Sequence, residues 1–363
     1  MTDKELMQRA IELARRGSRG AHPNPIVGAV LAKRGRVIAE GWHARFGGPH
    51  AEAAALKKAG VRARGADLYV TLEPCSTYGK TPPCTEAIVA AGVARVFIGA
   101  SDPNPRHSRR GGAILRAAGI RVKTGMLRRE CEALNPAFSK YMRTRLPYVT
   151  LKTAQSLDGR IADAAGRSRW ISSPQSRRFA HKLRAEADAV IAGVGTVLAD
   201  DPLLNVRGFK VPRQPWVVIL DSRLCVPPGA RVFGNDRVIV VVAGKAPAAK
   251  AKRLPRHAEI LELPKGPDGR PSLPALLKAL GSVGISHILV EGGGKVAGSF
   301  ISQGLVDRYC CIIAPMVIGG TCSRSSAVWP DRLNAASKVL GVQAEVKALS
   351  RLGPDLMLDV RFR

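Results

Sequence analysis

Two α/β domains in succession are the fold this chain predicts, and three observations lead there. At 363 residues it is long enough to bury two separate cores. Apolar strand-like runs alternate with helical patterns in both halves, a βαβ rhythm that implies sheets flanked by helices. Between the halves, residues 135–147 form a polar, basic stretch with two prolines, where one pattern stops before the next begins. The expected domains are 1–146 and 147–363.

In the first domain a helix is expected near 3–16, with Leu6, Ala10, Leu13 and Ala14 recurring on one face. Strands follow near 27–32 and 36–40, a helix at 50–59, a strand at 67–71, a helix at 84–91 and a strand at 95–99. That order suggests a mostly parallel sheet. The second domain restarts with a strand at 148–152 and a helix at 174–185, then strands at 188–192, 215–220 and 237–242. A helix at 272–281, a strand at 286–290, a helix at 295–302 and a strand at 308–313 complete it. Residues 246–256 read as a solvated connection, and no internal repeat is visible.

Composition narrows the function. No apolar run approaches the roughly 18–20 residues that cross a bilayer, and the charged start Met1-Thr2-Asp3-Lys4-Glu5 lacks the apolar core of a signal peptide. Seven cysteines, an odd number with Cys310 and Cys311 adjacent, make a poor disulfide framework and point to a reducing compartment, the cytoplasm. The net charge of +29 favours anionic ligands. Lys and Arg are nevertheless spread along the whole length, with clusters only at 106–110 and 250–256, and at 5% aromatics there is no basic stripe interleaved with stacking residues. Specific nucleic-acid binding is therefore not expected, and small phosphorylated ligands are.

Chemistry is concentrated in His50-Ala51-Glu52, Pro74-Cys75 and Thr81-Pro82-Pro83-Cys84. One imidazole, His50, and two thiolates, Cys75 and Cys84, leave a tetrahedral Zn²⁺ with a fourth position for water. Structural zinc is normally closed by a fourth protein ligand, so three argue for catalysis. Glu52, two residues past the histidine, can take that water's proton and pass it to departing ammonia. Such a layout suits zinc-dependent deamination of a nucleobase-like ring.

With these motifs the chain resembles the bifunctional riboflavin-biosynthesis deaminase/reductases over most of its length. Cytidine and tRNA-adenosine deaminases share His-x-Glu but set their cysteines three residues apart. Here Ser76-Thr77-Tyr78-Gly79-Lys80-Thr81-Pro82-Pro83 separates Cys75 from Cys84, as in the riboflavin enzymes. His22-Pro23-Asn24-Pro25-Ile26-Val27-Gly28 and Gly41-Trp42-His43 are also family-like. The resemblance implies a cytidine-deaminase-like three-layer α/β/α first domain, with Asn24 and His43 on the pyrimidine and Lys80 near its phosphate. One departure is the loop after Asp102-Pro103-Asn104-Pro105, which reads Arg106-His107-Ser108-Arg109-Arg110-Gly111-Gly112 in place of a Val-x-Gly-x-Gly pattern.

In the second half, Glu291-Gly292-Gly293-Gly294-Lys295 follows an apolar strand and precedes a helix, where bare amides can cradle a pyrophosphate, although the spacing is not the Rossmann fingerprint. The stretches Lys152-Thr153-Ala154-Gln155-Ser156-Leu157-Asp158-Gly159-Arg160, Ser168-Arg169-Trp170-Ile171-Ser172 and Asp200-Asp201-Pro202-Leu203-Leu204 resemble the family's reductase domain. That resemblance implies a dihydrofolate-reductase-like α/β fold and NADPH. It places Ala154, Trp170, Thr196, Asp200, Ser222, Gly293, Gly294, Lys295, Val296, Ala297, Gly298 and Ser299 on the dinucleotide. Ser168, Arg184, Leu204, Arg207 and Glu291 would face the ribose and its phosphate. A guanidinium is a natural partner for a phosphate monoester, which suits Arg184 and Arg207. Lys152 and Glu291, at strand ends, could assist ring opening before hydride reaches C1′. Relatives commonly carry arginine where this chain has Cys225, which leaves Arg223 as a candidate for the cofactor's 2′-phosphate.

The expected activity is deamination of a phosphoribosylamino-pyrimidine followed by NADPH-dependent reduction of its ribosyl group, in a homo-oligomer of two or more copies. Two rivals remain at this point: a nucleoside- or tRNA-directed deaminase with a noncatalytic second half, and an RNA-binding protein whose zinc is structural. The latter needs a fourth ligand, and His43 is the nearest spare histidine.

Overall fold

The computed structural model describes residues 1–18, 20–78, 82–105, 108–266, 268–328 and 341–362. The chain forms two compact units, Met1–Arg145 and Leu146–Arg363.

The first unit runs α1 (Asp3–Arg16), β1 (Gly28–Lys33), β2 (Arg36–Trp42), α2 (Ala51–Ala59), β3 (Asp67–Leu72), α3 (Cys84–Ala90), β4 (Arg95–Ala100), α4 (Arg110–Ala117), β5 (Arg121–Thr124), α5 (Arg128–Glu132) and α6 (Pro136–Thr144). Thr2 starts α1 with a capping box: its hydroxyl accepts the Glu5 amide, and the Glu5 carboxylate accepts the Thr2 amide. The five strands pair in the order β2-β1-β3-β4-β5. Alternation along each strand sends side chains to two cores. Ala29, Leu31, Leu68, Val70, Val96 and Ile98 meet α2, α3 and α4 on one face. Val30, Ala32, Tyr69 and Phe97 meet α1 and the α5 region on the other, which makes the unit three layers deep.

The second unit comprises β6 (Tyr148–Gln155), β7 (Arg160–Ala162), α7 (Pro174–Glu186), β8 (Ala189–Gly193), α8 (Val194–Asp200), β9 (Trp216–Leu220), β10 (Val238–Ala243), α9 (Ala248–Ala251), β11 (Ala258–Leu263), α10 (Leu273–Ser282), β12 (His287–Val290), α11 (Gly294–Ser302), β13 (Arg308–Ile313), β14 (Arg324–Ser325), β15 (Ala344–Leu352) and β16 (Asp355–Phe362). Nine strands form one sheet, ordered β11-β10-β9-β8-β12-β6-β13-β16-β15. Helices α10 and α11 cover one face through Leu276, Leu277, Ala297 and Phe300. On the other face lie Leu183 of α7 and Val197 of α8.

The first sheet is mixed: β1 is antiparallel to both β2 and β3, while the β3-β4 and β4-β5 pairs are parallel, so β2, β3, β4 and β5 share one direction, as expected of a mostly parallel sheet, and β1 opposes them. A two-residue turn, Arg34-Gly35, with both residues at positive φ, folds β1 back on β2, and apolar rhythm carries no information about strand direction. The second sheet is parallel from β11 to β13 but ends in antiparallel β16 and β15. The division between the units falls within 135–147, most of which is the helix α6, started by Pro136 in its first turn.

Close backbone approach locks the site-bearing helix in place. Gly41 on β2 lies directly under α2, where an added Cβ would collide with the Ala51 carbonyl oxygen and come 2.6 Å from the Ala55 nitrogen. Gly41→Val is expected to force α2 off the sheet, cost about 1–3 kcal/mol or more, lower the melting temperature and reduce bound zinc. Calorimetry with metal analysis checks both effects.

Candidate active sites

The first site is built from helix starts and a strand end. His50 is the N-cap of α2, in extended backbone and without a side-chain cap bond, so its ring is free for another task. Cys75 follows β3, and Cys84 is the first residue of α3. Their donor atoms converge: Cys75 Sγ is 3.4 Å and Cys84 Sγ 3.3 Å from His50 Nδ1, and all three lie within 4.8 Å of one another. Tetrahedral zinc with ordinary Zn–S and Zn–N bonds separates S and N by about 3.6 Å. One imidazole and two sulfurs at this spacing therefore fit Zn²⁺. The Cys84 amide, at a helix start, also donates to Cys75 Sγ at 3.2 Å, favouring thiolate there.

Electrostatics agree with a cation site. The Cys84 thiol donates to Cys75, which holds Cys75 down to about 4 with help from His50, while the same bond and burial push Cys84 up. The hydrogen bond with Cys75 raises His50. Glu52, on the first turn of α2 and only 3% exposed, is pushed up to about 7, first by burial and then by the Cys75 charge.

His43, also buried, stands edge-on to His50 with ring centroids 5.2 Å apart. Its Nδ1 lies 3.0 Å from the Pro49 carbonyl, which can only accept, so Nδ1 carries the proton and Nε2 accepts from Asn24 Nδ2 at 3.1 Å. Both ring nitrogens are thus engaged and His43 is no fourth metal ligand. The same bonds tie Asn24 to His43 beside the His50 ring. Lys80 lies outside the described residues, as do Arg106 and His107 of the basic loop.

One residue escaped sequence reasoning here. Glu73, 6% exposed, accepts the amides of Asp102 at 3.1 Å, Arg109 at 2.9 Å and Gly112 at 3.1 Å. It pins the segment leading into α4 two residues before Cys75. Its position directly after a buried strand was the available signal, since a carboxylate there must find donors.

The second unit holds a cavity of about 1890 Å³ at the carboxyl ends of its parallel strands, the usual ligand edge of an α/β sheet. Of the expected dinucleotide residues, Thr196, Asp200, Ser222, Gly293, Gly294, Lys295, Val296 and Ser299 line it, as does Ser168, whose hydroxyl donates to Asp200 Oδ1 at 3.3 Å. At Gly293 an added Cβ would meet only Thr196 Oγ1, at 3.7 Å, so the backbone entering α11 is open to a ligand. Arg223, Lys265, Arg270, Lys295 and Arg324 supply cations around the rim. Bare backbone at a helix start together with this charge fits a dinucleotide polyphosphate.

Other expected residues lie elsewhere. Ala297 is fully buried in the core, and Gly298 lets the Val328 backbone pack against α11, so both serve packing. Leu204 is a core residue at positive φ, Ala154 packs beside Leu183, and neither lines the cavity. Trp170 is 68% exposed, with the Arg177 guanidinium 4.5 Å from its ring centre.

A separate polar cluster sits on the α7 face. Because Val290 of β12 is in register with Leu151 of β6, Glu291 and Lys152 come side by side on adjacent strands. Lys152 is therefore mid-strand, not at a strand end as expected. Arg184 of α7 reaches Glu291 Oε2 through Nε at 2.9 Å and Nη2 at 2.5 Å, and donates to the Asn205 carbonyl at 3.0 Å. Burial would raise the Glu291 carboxyl, but Arg184 and Lys152 outweigh it and hold it low. Burial lowers the Lys152 ammonium, against the pull of Glu291. Glu291 Oε1 has no partner among the described residues, an acceptor awaiting a donor. Arg207 is exposed, and its amide donates to His181 Nδ1 at 3.2 Å, which adds His181, one turn before Arg184, to this cluster. A lone helical histidine gave no sequence signal for that role.

Comparisons with known proteins show what each unit is similar to. Residues 1–100 match the cytidine and deoxycytidylate deaminase zinc-binding region, and 147–358 match the RibD C-terminal domain. The riboflavin biosynthesis protein RibD of Aquifex aeolicus is 41% identical, over 98% of this chain and 97% of its own length. A solved structure of RibD from Acinetobacter baumannii superposes with a TM-score of 0.86 at 37% identity, covering 99% of each chain. The diaminohydroxyphosphoribosylaminopyrimidine deaminase/5-amino-6-(5-phosphoribosylamino)uracil reductase of Thermotoga maritima gives 0.84 at 36% identity, covering 99% of this chain and 98% of that one. Over practically its whole length, then, the chain belongs to the RibD family of riboflavin biosynthesis proteins.

Proposed function

We propose that the chain is a bifunctional enzyme of riboflavin biosynthesis. Its first unit deaminates 2,5-diamino-6-(5-phosphoribosylamino)pyrimidin-4-one with zinc, and its second reduces the ribosyl group with NADPH to give 5-amino-6-(5-phosphoribitylamino)uracil. The observation that carries this reading is the three-donor cluster of His50, Cys75 and Cys84 beside buried Glu52, in one chain with a cation-rimmed cavity in a RibD C-terminal domain.

Zinc held by these three residues supplies Lewis acidity that lowers the pKa of water at the site. Glu52 removes a proton from the attacking water and returns it to the leaving amino nitrogen through the same carboxylate. Asn24 and His43, tied to each other, orient the pyrimidine. In the second unit NADPH supplies hydride to C1′ of the opened sugar. Glu291 Oε1 accepts a sugar hydroxyl, Lys152 faces the same atoms, and Arg184 and Arg207 serve the phosphate end. Ala297 and Gly298 shape the dinucleotide site through the packing of α11, with Ala154 and Trp170 on the same ligand and Leu204 on the ribose. The rival with a structural zinc would need a fourth ligand, and among the described residues the nearest spare histidine, His43, is otherwise engaged. No helix among the described residues is long and apolar enough to cross a membrane. We place the enzyme in the cytoplasm as a homo-oligomer, with a small-molecule substrate and no specific nucleic acid.

The test is a two-signal assay on purified protein, following ammonia release and NADPH absorbance. Glu52→Gln is expected to slow ammonia release by about 10²–10⁴-fold while reduction of supplied deaminated substrate continues. Removing zinc with a chelator should separate the signals in the same way, and readdition should restore the first. Wild-type rates from Glu52→Gln would remove Glu52 from the mechanism. Glu291→Gln should act in reverse, lowering reduction at least about tenfold, the worth of a buried charged hydrogen bond, with deamination unchanged.

A further inference from the structure

Along its rim the second-unit cavity passes the ends of β9, β10 and β11, and cationic side chains replace bare backbone there. Ser222 and Arg223 follow β9, Ala243 ends β10 and Lys265 follows β11, all lining the cavity. Backbone bonds hold these ends together: the Ala243 amide donates to the Ser222 carbonyl at 3.4 Å, and the Gly244 amide to the Leu263 carbonyl at 2.7 Å. The Lys265 side chain crosses over Gly244, its Cε 3.6 Å from where a Cβ would stand. From α9, Lys250 Nζ donates to the Arg223 carbonyl at 2.9 Å. Arg223 and Lys265 therefore line this end of the cavity, and Lys250 is held against the Arg223 backbone.

The acidic groups nearby are already committed. Asp221 is 1% exposed, and its oxygens accept the amides of Arg223 at 3.4 Å, Cys225 at 2.5 Å and Val226 at 2.7 Å, so it holds the turn and has no room for a ribose hydroxyl. Asp268 accepts the Arg270 amide at 3.1 Å and faces its guanidinium at 3.6 Å. Among the described residues no ion pair joins Arg223, Lys250 or Lys265 to a carboxylate. Within the turn Asp221-Ser222-Arg223-Leu224-Cys225-Val226, Arg223 is the one cation.

A carboxylate free at a strand end selects the 2′-hydroxyl of NAD, whereas arginine accommodates the 2′-phosphate of NADP. We propose that Arg223, supported by Lys250 and Lys265, reads the adenosine 2′-phosphate of NADPH and sets the preference of this reductase for NADPH over NADH. The assignment rests on the reductase reading above. Cys225 shares the turn but brings no charge, so the discrimination belongs to Arg223.

Binding to the full-length protein, measured by calorimetry or nucleotide fluorescence without substrate, tests this directly. Arg223→Gln should weaken NADPH by about tenfold or more, as loss of a charge-assisted phosphate contact predicts, and leave NADH unchanged. Combining it with Lys265→Gln should bring the two affinities to within about twofold of each other, and adenosine 2′,5′-bisphosphate should lose affinity in parallel. Retained NADH binding shows that the variants fold. A ratio of NADPH to NADH affinity that stays at the wild-type value overturns the clamp, as does an equal loss for both nucleotides. If the wild type binds neither nucleotide, the reductase reading itself fails.

Discussion

Three donor atoms within 4.8 Å of one another are a costly arrangement without a cation, and the first unit is organised to hold them. Two sulfurs this close repel when both are ionised, so Cys84 keeps a proton and donates it to Cys75, which is why Cys75 and Cys84 shift in opposite directions. The scaffold cannot relax around them. Helix α2 rests on Gly41 with no intervening side chain, and α1 rests on Gly28 in the same way, so neither helix can slide without breaking backbone packing. The strain of assembling the donors is offset when a dication arrives, and metal affinity here is part of folding stability.

The second unit reaches its polar cluster by register alone. Once β12 and β6 pair with Val290 opposite Leu151, their next residues must emerge together on the face that α7 covers, and those residues are Glu291 and Lys152. Arg184 then approaches from α7, anchored by its neighbour Leu183 in the core. A one-residue slip would bury both charges among Leu276 and Phe300 on the opposite face. Placement of the reactive groups is thus enforced by the hydrophobic pattern of the strands and needs no loop to adopt a special shape.

This explains what could be read in advance. Strand and helix positions followed from alternating apolar residues, and the metal ligands from residue chemistry, because His50, Cys75 and Cys84 have few other reasons to occur together near Glu52. Strand direction was not legible, since Val30 alternates identically whether its partner is parallel or antiparallel. Nor were β15 and β16: β15 is exposed along most of its length, so it carries no strong apolar signature. Composition alone could not separate Gly293 in the glycine-rich turn, open to the cavity, from Gly298 within α11, pressed against Val328. Glu73 and His181 stayed hidden for a common reason: both engage backbone amides far away in sequence, at 102–112 and 207.

The two carboxylates at the centre of the sites are solved in opposite ways by the same fold class. Glu52 is buried, and burial first, then the Cys75 charge, favours a proton on the carboxyl. Glu291 is also largely enclosed but flanked by Arg184 and Lys152, surroundings that hold it low. An acid that readily gains and loses a proton suits a step in which water must be deprotonated and an amine protonated. A permanently charged acceptor with one free oxygen suits holding a sugar hydroxyl while hydride is delivered elsewhere. The division of labour follows from which cations stand near each carboxylate, and Arg184 reaching Glu291 from α7, with Lys152 one strand away, decides it.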